Sequence, residues 1–323
     1  MAQIDVFNGD ADGICALLQL RFADPAEATL VTGVKRDIQL LDKIKAARGD
    51  HVTVLDISME KNLSQLWTIL DEGASVFYVD HHNPGEIPEH PALEAIIDTD
   101  PDVCTSLLVD RYLYGAFRAW AVTAAFGDNM NSSAESAAKT LSISGDQLNH
   151  LKEIGICINY NGYGSSIEDL HFPPAKLYRE LSAYRSPFDF IVDSQSDYEK
   201  LRTGYYQDMD NALKKSPEYS NKSVAVYLLP AKTWSGRVSG VFGNQLANHH
   251  PDQAHAVVYH REQGGYMVSV RAPLNNRTGA DELCRKFPMG GGRRGAAGIN
   301  HLPLTELDSF IKEFKRHYGS TYA

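Results

Sequence analysis

Acidic side chains follow apolar runs at four places in the first 130 residues of the chain. They are Asp10 and Asp12 after residues 4–7, Asp56 after residues 51–55, Asp80 with His81 and His82 after residues 75–79, and Asp128 after residues 120–127. In an open parallel sheet, ligand sites lie outside the carboxyl ends of the strands, so these clusters would converge on one crevice. Because unpaired buried charges are costly, several carboxylates share a small volume only when cations neutralise them. The pattern therefore predicts a site for two metal ions.

The individual motifs differ in specificity. The Asp-Ala-Asp-Gly sequence at residues 10–13 also occurs in calcium-binding loops, but the rest of that loop pattern is missing because residues 14–18 begin a helix. The Asp-His-His sequence at residues 80–82 is more specific, since it stands at the end of a predicted strand. The alternative for its two histidines is an ordinary solvated loop.

These stretches resemble the DHH phosphoesterases that carry a C-terminal DHHA1 domain. The matching residues are 8–13, 56, 80–84 and 124–128, followed far downstream by 268–271 and 290–298. They occur in the order and spacing of that family, whereas residues 130–220 carry no signature. The resemblance implies an α/β protein in which a parallel-sheet DHH domain is joined by a helical linker to a smaller α/β DHHA1 domain.

The resemblance also implies the ligands of both metal ions. One ion would be bound by Asn8, Asp10 and Asp56, and the other by Asp12, Asp56, His81 and Asp128, with Asp56 as the bridge. Carboxylates together with imidazole suit manganese, with magnesium or cobalt as alternatives. Two cations about 4 Å apart generate a bridging hydroxide and stabilise an in-line displacement at phosphorus.

Two further residues of the Asp-His-His motif are expected to act in catalysis. Asp80 would orient the histidines rather than bind metal. His82 would contact the scissile phosphate or assist the leaving group. The alternative for His82 is a packed, hydrogen-bonded histidine.

Substrate binding is expected in the second domain. Gly290, Gly291 and Gly292 can present backbone N–H groups to a phosphate, because residues without Cβ permit close approach. Arg293 and Arg294 follow these glycines, and the three glycines alone would be only a flexible turn. Arg271 ends an apolar strand and would clamp a substrate phosphate, the alternative being an ion pair with an acidic neighbour.

The chain departs from the family pattern at two functional positions. The family's first motif usually begins with a histidine, where Asn8 stands, and its glycine-rich motif usually has a histidine where Arg293 stands. An amide oxygen is a weaker manganese ligand than imidazole, so the first metal site is expected to be looser. Arg293 is suited to phosphate and can stack on a base. The two changes leave open a protein that binds nucleotides without hydrolysing them.

Composition limits the partners and the location. The 323 residues suffice for two domains, and the net charge of −10 argues against tracking long nucleic acid, whose affinity depends on phosphate contacts. Cys15, Cys104, Cys157 and Cys284 are scattered without a pairing pattern. Together with the lack of a signal peptide or a long apolar run, they predict a cytoplasmic protein with reduced thiols and no membrane contact. A homodimer is left open.

The alternation of apolar and polar residues predicts the elements that position these motifs. We expect strands at 2–7, 28–34, 51–57, 75–80, 95–98, 224–229, 254–260 and 265–271, with a turn at 261–264. We expect helices at 12–23, 37–48, 60–72, 104–114, 117–126, 238–249 and 304–318, and mostly helix over 130–190. The predicted domains are a DHH catalytic domain at 1–190, a linker with a helix at 191–221, and a DHHA1 domain at 222–323.

Together these features predict a manganese-dependent phosphodiesterase that hydrolyses short linear oligoribonucleotides, in particular 5′-phosphorylated dinucleotides, to mononucleotides. A nucleoside 3′,5′-bisphosphate phosphatase, a cyclic dinucleotide hydrolase and a single-strand exonuclease remain open within the same class. The acidic charge balance argues most strongly against the exonuclease.

Overall fold

The computed structural model describes residues 1–193, 195–261 and 264–319. The chain forms two compact units, Met1–Thr203 and Gly204–Ala323. Residue 194 of the predicted linker, residues 262 and 263 of the predicted turn, and residues 320–323 lie outside the described residues. The domain boundaries expected at 190 and 221 stay predictions.

The first unit alternates strands and helices and then becomes helical. Its elements are β1 (Gln3–Phe7), α1 (Ala11–Ala23), β2 (Thr29–Val31), β3 (His51–Leu55), α2 (Met59–Asp71), β4 (Ser75–Asp80), β5 (Leu93–Ile97), α3 (Thr105–Tyr112), α4 (Arg118–Gly127), α5 (Asn131–Ala138), α6 (Gly145–Asn161), α7 (Pro174–Leu181) and α8 (Pro187–Val192). The next helix, α9 (Tyr198–Leu213), contains the boundary between the units.

The first sheet brings the predicted metal ligands to one edge. Its strand order is β2-β1-β3-β4-β5, and every neighbouring pair is parallel. The central strands are almost wholly buried, as their nearly continuous apolar sequences require in a sheet covered on both faces. Because all strands run in one direction, Asn8, Asp56 and His81 follow three adjacent strands at the same edge. The predicted α/β class with a parallel first sheet is confirmed.

Three helices close the site from the side. Helix α4 packs against both α1 and α6. Helices α4 and α6 approach each other closely where Gly155 lies. A Cβ on Gly155 would overlap the backbone oxygen of Thr123 and lie 3.1 Å from the nitrogen of Gly127. As a result Asp128, directly after α4, and Asn159, near the end of α6, contact the same side chain.

Residues 37–48 do not form the predicted helix. They contain only the 3-10 turn Leu40–Lys43. Asn62 in α2 explains the difference, because its Oδ1 accepts the N–H of Leu41 at 3.2 Å and its Nδ2 donates to the carbonyl of Ile38 at 2.7 Å. The helix prediction was wrong here because tertiary hydrogen bonds satisfy the backbone and override local propensity.

The second unit has a mixed sheet covered by helices. After α9 its elements are β6 (Tyr219–Ser220), β7 (Val224–Leu229), α10 (Thr233–His249), β8 (Ala254–His260), β9 (Tyr266–Arg271), α11 (Ala280–Cys284), β10 (Gly290–Gly292), β11 (Ala296–Leu302) and α12 (Leu307–Gly319). The strand order is β10-β11-β9-β8-β7-β6, with β7 and β8 parallel and the other pairs antiparallel. Phe310 and Phe314 of α12 belong to its apolar core.

The four cysteines are buried and none of them forms a disulfide, as predicted. Within residues 1–193, 195–261 and 264–319, no helix has the length and apolar character needed to cross a membrane.

We predict that Gly155→Ala lowers the free energy of unfolding by about 3 kcal/mol, the upper part of the range for overpacked sites. The added methyl group would meet the backbone of α4, which cannot move aside like a flexible side chain. Urea titration of the purified chain measures the change.

Gly145→Ala is the matched control for this prediction. Gly145 begins the same helix, and its Cβ would meet nothing within 4 Å. Alanine should therefore be neutral or stabilising by up to about 1 kcal/mol. Equal losses in the two variants would contradict tight packing of α4 on α6.

Candidate metal centre

His81 lies at the centre of the predicted ligands. Its Nδ1 is 2.7 Å from the carbonyl oxygen of Val103. An Nδ1–H that donates to this carbonyl leaves the Nε2 lone pair directed at the carboxylates. Nε2 is 3.8 Å from Oδ2 of Asp12, 3.4 Å from Oδ1 of Asp56 and 4.0 Å from Oδ2 of Asp128. The structure thus brings together all four residues expected at the second metal position.

Asp12 is fixed by the first turn of α3. Its Oδ1 accepts the N–H of Ser106 at 2.7 Å, and its Oδ2 accepts the N–H of Thr105 at 2.8 Å. The hydroxyl of Ser106 also donates to the Asp12 carbonyl at 2.8 Å. The first N–H groups of a helix lack partners within the helix, so a buried carboxylate at this end satisfies them and is itself oriented.

Asp56 has a backbone conformation that a non-glycine residue seldom adopts. Its φ is +57°, in the left-handed region. Such a conformation costs on the order of 1–3 kcal/mol and persists where the surrounding structure holds it. Its N–H donates to the carbonyl of Val79 at 3.1 Å, which ties this strained turn to the end of β4. The turn directs the carboxylate towards His81 and His82.

The negative charges of the buried carboxylates repel one another strongly. Burial, followed by the negative charges of Asp10 and Asp12, raises the pKa of Asp56 well above its ordinary value. Burial and the charges of Asp128 and Asp10 raise the pKa of Asp12 to about 6, although the N–H of Ser106 lowers it. Protons or cations must therefore offset these carboxylates. Oxygen ligands together with one imidazole fit a divalent cation.

Asp80 and His82 form a hydrogen-bonded pair beside this cluster. Oδ1 of the fully buried Asp80 is 2.7 Å from Nδ1 of His82. The His82 side chain is 30% exposed, so the bond fixes a ring whose other nitrogen can reach a ligand. Ligand atoms of Asp56, His81 and His82 lie within 4.8 Å of one another, so His82 is also within reach of a metal ion.

Sequence reasoning missed a lysine that occupies the remaining part of the site. The Lys35 ammonium donates to Asp10, to Oδ1 of Asp128 at 3.1 Å and to Oδ1 of Asn159 at 3.0 Å. Asn8 donates from Nδ2 to the Lys35 carbonyl at 3.3 Å. Lys35 directly follows the strand predicted at 28–34, so the strand-end argument would have found it had basic residues been considered. Asn159 carries no comparable signal.

The predicted substrate-binding residues lie at one end of the second sheet. Gly290–Gly292 form the edge strand β10, which pairs with β11 through a turn that contains Arg293 and Arg294. Arg271 ends β9, and Ala272 donates its N–H to the carbonyl of Gly295 in that turn at 2.9 Å. The glycines thus belong to a strand of a hairpin rather than to a flexible turn, and their binding role stays a prediction.

The partners of Arg271 are neutral. Its Nε donates to Oδ1 of Asn244 at 2.6 Å, and its other nitrogens donate to the carbonyls of Val270 at 3.1 Å and Gly240 at 3.2 Å. Among the described residues it therefore forms no ion pair with a carboxylate, which was the alternative considered from the sequence.

We predict an unusual pH dependence of stability for the metal-free chain. The pKa of Asp12 is raised from 3.8 to about 6 in the folded chain. Because the folded chain holds this proton more tightly than the unfolded chain, the stabilisation is complete below about pH 4 and is lost as pH rises through about 6. The loss is on the order of 3 kcal/mol.

Urea titrations of the metal-free wild type and of Asp12→Asn at about pH 4 and about pH 7 measure this loss. The wild type should lose more free energy of unfolding than the variant, because other titrating groups are common to both. Saturating Mn²⁺ should reduce the loss in the wild type. Equal losses in both metal-free chains would contradict the assignment to Asp12.

No protein-family model and no curated protein matches this chain. Solved structures match it over nearly its whole length. A DHH domain described as belonging to a family of ribosomal proteins has a TM-score of 0.67 at 14% identity, covering 98% of this chain and 86% of that one. Exonuclease RecJ bound to manganese has a TM-score of 0.61 at 16% identity, covering 99% and 91%. PggH, a pGpG-specific phosphodiesterase from Vibrio cholerae, has a TM-score of 0.58 at 13% identity, covering 99% of both chains.

Sequence identities of 13–16% show a common fold. Activity and substrate must be argued from the chemistry of the site. The similarity extends over both units, because each match covers at least 98% of the chain. The resemblance in the sequence motifs is thereby confirmed at the level of structure: the chain has the fold of the DHH-domain proteins.

Proposed function

We propose that the chain is a metal-dependent phosphodiesterase that hydrolyses short linear oligoribonucleotides, in particular 5′-phosphorylated dinucleotides, to mononucleotides. The supporting observation is the cluster around His81 Nε2, where oxygens of three aspartates lie within 4.0 Å. A divalent cation at such a cluster lowers the pKa of water and stabilises negative charge on phosphoryl oxygens. We favour manganese because the donors suit it and because the RecJ structure of the same fold is bound to manganese.

His82 and Asp80 supply the proposed contacts to the reacting phosphate. Because Asp80 accepts the Nδ1–H of His82, the ring is held with Nε2 directed away from that bond. From this position His82, when both its ring nitrogens are protonated, would donate its Nε2–H to a phosphoryl oxygen or to the leaving oxygen. Asp80 acts on the reaction through His82, as a positioning residue.

The charge distribution supports a short substrate. The chain has a net charge of −10, whereas Arg271, Arg293 and Arg294 gather at one end of the second sheet. Three arginines suffice for one or two phosphates but not for a long strand, whose binding requires many phosphate contacts. PggH, which shares the fold, is described as specific for pGpG, a 5′-phosphorylated dinucleotide. We therefore propose that these arginines bind a terminal phosphate.

Four alternative functions are compatible with the same fold. A nucleoside 3′,5′-bisphosphate phosphatase and a cyclic dinucleotide hydrolase would use the same metal chemistry on a different substrate. An exonuclease acting on long single strands would need more positive charge. A nucleotide-binding protein without activity was suggested by Asn8 and Arg293, but the close approach of Asp12, Asp56 and Asp128 to His81 supports catalysis instead.

We also propose that the enzyme works in the cytoplasm. Its four cysteines are buried and form no disulfide, as is usual for proteins of a reducing compartment.

We predict that the purified chain with Mn²⁺ releases mononucleotides from a 5′-phosphorylated diribonucleotide. Asp56→Asn should lower kcat/KM at least about 100-fold, because it removes charge from a ligand shared by the predicted metal positions. Chromatography of the products from a panel of di-, tri- and longer ribonucleotides measures the rates.

Asp146→Asn serves as the matched control, because Asp146 is exposed at the start of α6 and its substitution removes the same charge. It should retain the wild-type rate. A strong preference for long strands, or cleavage restricted to a 3′-phosphate monoester, would overturn the proposed substrate. The same absence of turnover in wild type and Asp56→Asn would favour the binding protein.

We further predict that Asp80→Asn lowers kcat about 10–100-fold with little change in Mn²⁺ affinity. The asparagine oxygen can accept the same hydrogen bond but cannot stabilise a positively charged His82. Steady-state kinetics and equilibrium dialysis separate the two effects. A matching loss of Mn²⁺ affinity would show that Asp80 acts on the metal instead.

A further inference from the structure

The ammonium group of Lys35 has a complete set of partners. Its three N–H bonds match three acceptors, the carboxylates of Asp10 and Asp128 and the amide oxygen of Asn159. The Tyr163 ring lies 5.5 Å from Nζ and adds a cation–π contact. The Lys35 side chain is 19% exposed. A lysine held in this way is part of the site and not a mobile surface charge.

The backbone of Lys35 is anchored as firmly as its side chain. Its N–H donates to the carbonyl of Gly162, directly after α6, at 2.7 Å. The carboxyl end of a helix carries partial negative charge and favours a cation nearby. Asn8 donates to the Lys35 carbonyl from the other side. Burial lowers the pKa of Lys35, but Asp10, Tyr163 and Asp128 more than reverse this, so its pKa lies well above the ordinary value.

The bonds of Asp10 determine what the first metal position can hold. Its Oδ1 accepts the N–H groups of Asp12 and Gly13 at 3.0 and 3.1 Å, as the cap of α1. Its Oδ2 accepts from Lys35. Three hydrogen bonds therefore use most of the acceptor positions of this carboxylate, and the other ligands expected at this position are Asp56 and the amide oxygen of Asn8. Two ligands are fewer than the three that the family resemblance implies for this position.

We infer that the Lys35 ammonium takes the place of the first of the two expected cations, and that the chain binds a single divalent ion beside His81. The ammonium neutralises Asp10 and one oxygen of Asp128, which a metal ion would otherwise do. Its three N–H bonds are taken by Asp10, Asp128 and Asn159, and an ammonium has no vacant coordination position for a phosphate. The inference rests on the metal site of the proposed function and does not depend on the proposed substrate.

Counting bound metal tests the inference without measuring activity. The purified wild-type chain is dialysed to equilibrium against Mn²⁺, and metal and protein are quantified on both sides of the membrane. We expect one tightly bound ion per wild-type chain and two per Lys35→Met chain, because the substitution frees oxygens of Asp10 and Asp128. Electron paramagnetic resonance should change from an isolated-ion spectrum to that of an exchange-coupled pair.

Lys43→Met is the matched control, because Lys43 is a half-exposed lysine that pairs with Asp37 near the same strand end. It should bind one ion. Two ions in the wild type would overturn the inference while leaving the proposed hydrolase intact. One ion in both the wild type and a folded Lys35→Met would overturn it as well. No bound ion in the wild type would refute the metal site itself, and with it the proposed function.

Discussion

Repulsion among buried carboxylates is the constraint on which the site depends. Asp10, Asp12, Asp56 and Asp128 are almost wholly buried and face one another across a few ångströms of protein. Hydration cannot offset these charges, so fixed dipoles and cations must. The first turn of α3 supplies two N–H groups, the first turn of α1 supplies two more, and Lys35 supplies a full positive charge. A divalent ion beside His81 would complete this compensation.

The parallel sheet makes such a concentration of charge possible, because strands that run in one direction end at one edge. Long apolar runs made β1, β3 and β4 predictable, and the residues after them were predictable with them. The conformation of residues 37–48 was not predictable, since backbone groups of this segment bond to Asn62, a partner that no local pattern reveals. The positive φ of Asp56 was equally hidden, because its backbone N–H bonds to Val79 of a neighbouring strand, a contact that no local pattern reveals.

Contacts between distant segments explain why Asn159 and Lys35 were not predicted as residues of the site. Asn159 reaches the site because glycines let α6 approach α4, and glycine spacing alone does not identify a helix contact. Lys35 stood at a predicted strand end, yet a search for metal ligands considers only groups that donate electron pairs to a metal. The carboxylates of an acid-rich site can thus be neutralised by a lysine or arginine of the protein itself as well as by a bound metal ion.

Lys35 also changes how the Asn8 position is interpreted. Taken alone, an asparagine where the pattern of the family that the motifs resemble has histidine suggests a weakened metal site and hence a protein that only binds nucleotides. In the folded chain, Asn8 instead donates to the backbone of the lysine whose ammonium neutralises Asp10. An imidazole ligand has no function where an ammonium replaces the metal ion, whereas an amide donor does. Asn8 thus fits the rest of the site, and the proposed hydrolysis depends on the residues around His81 rather than on Asn8.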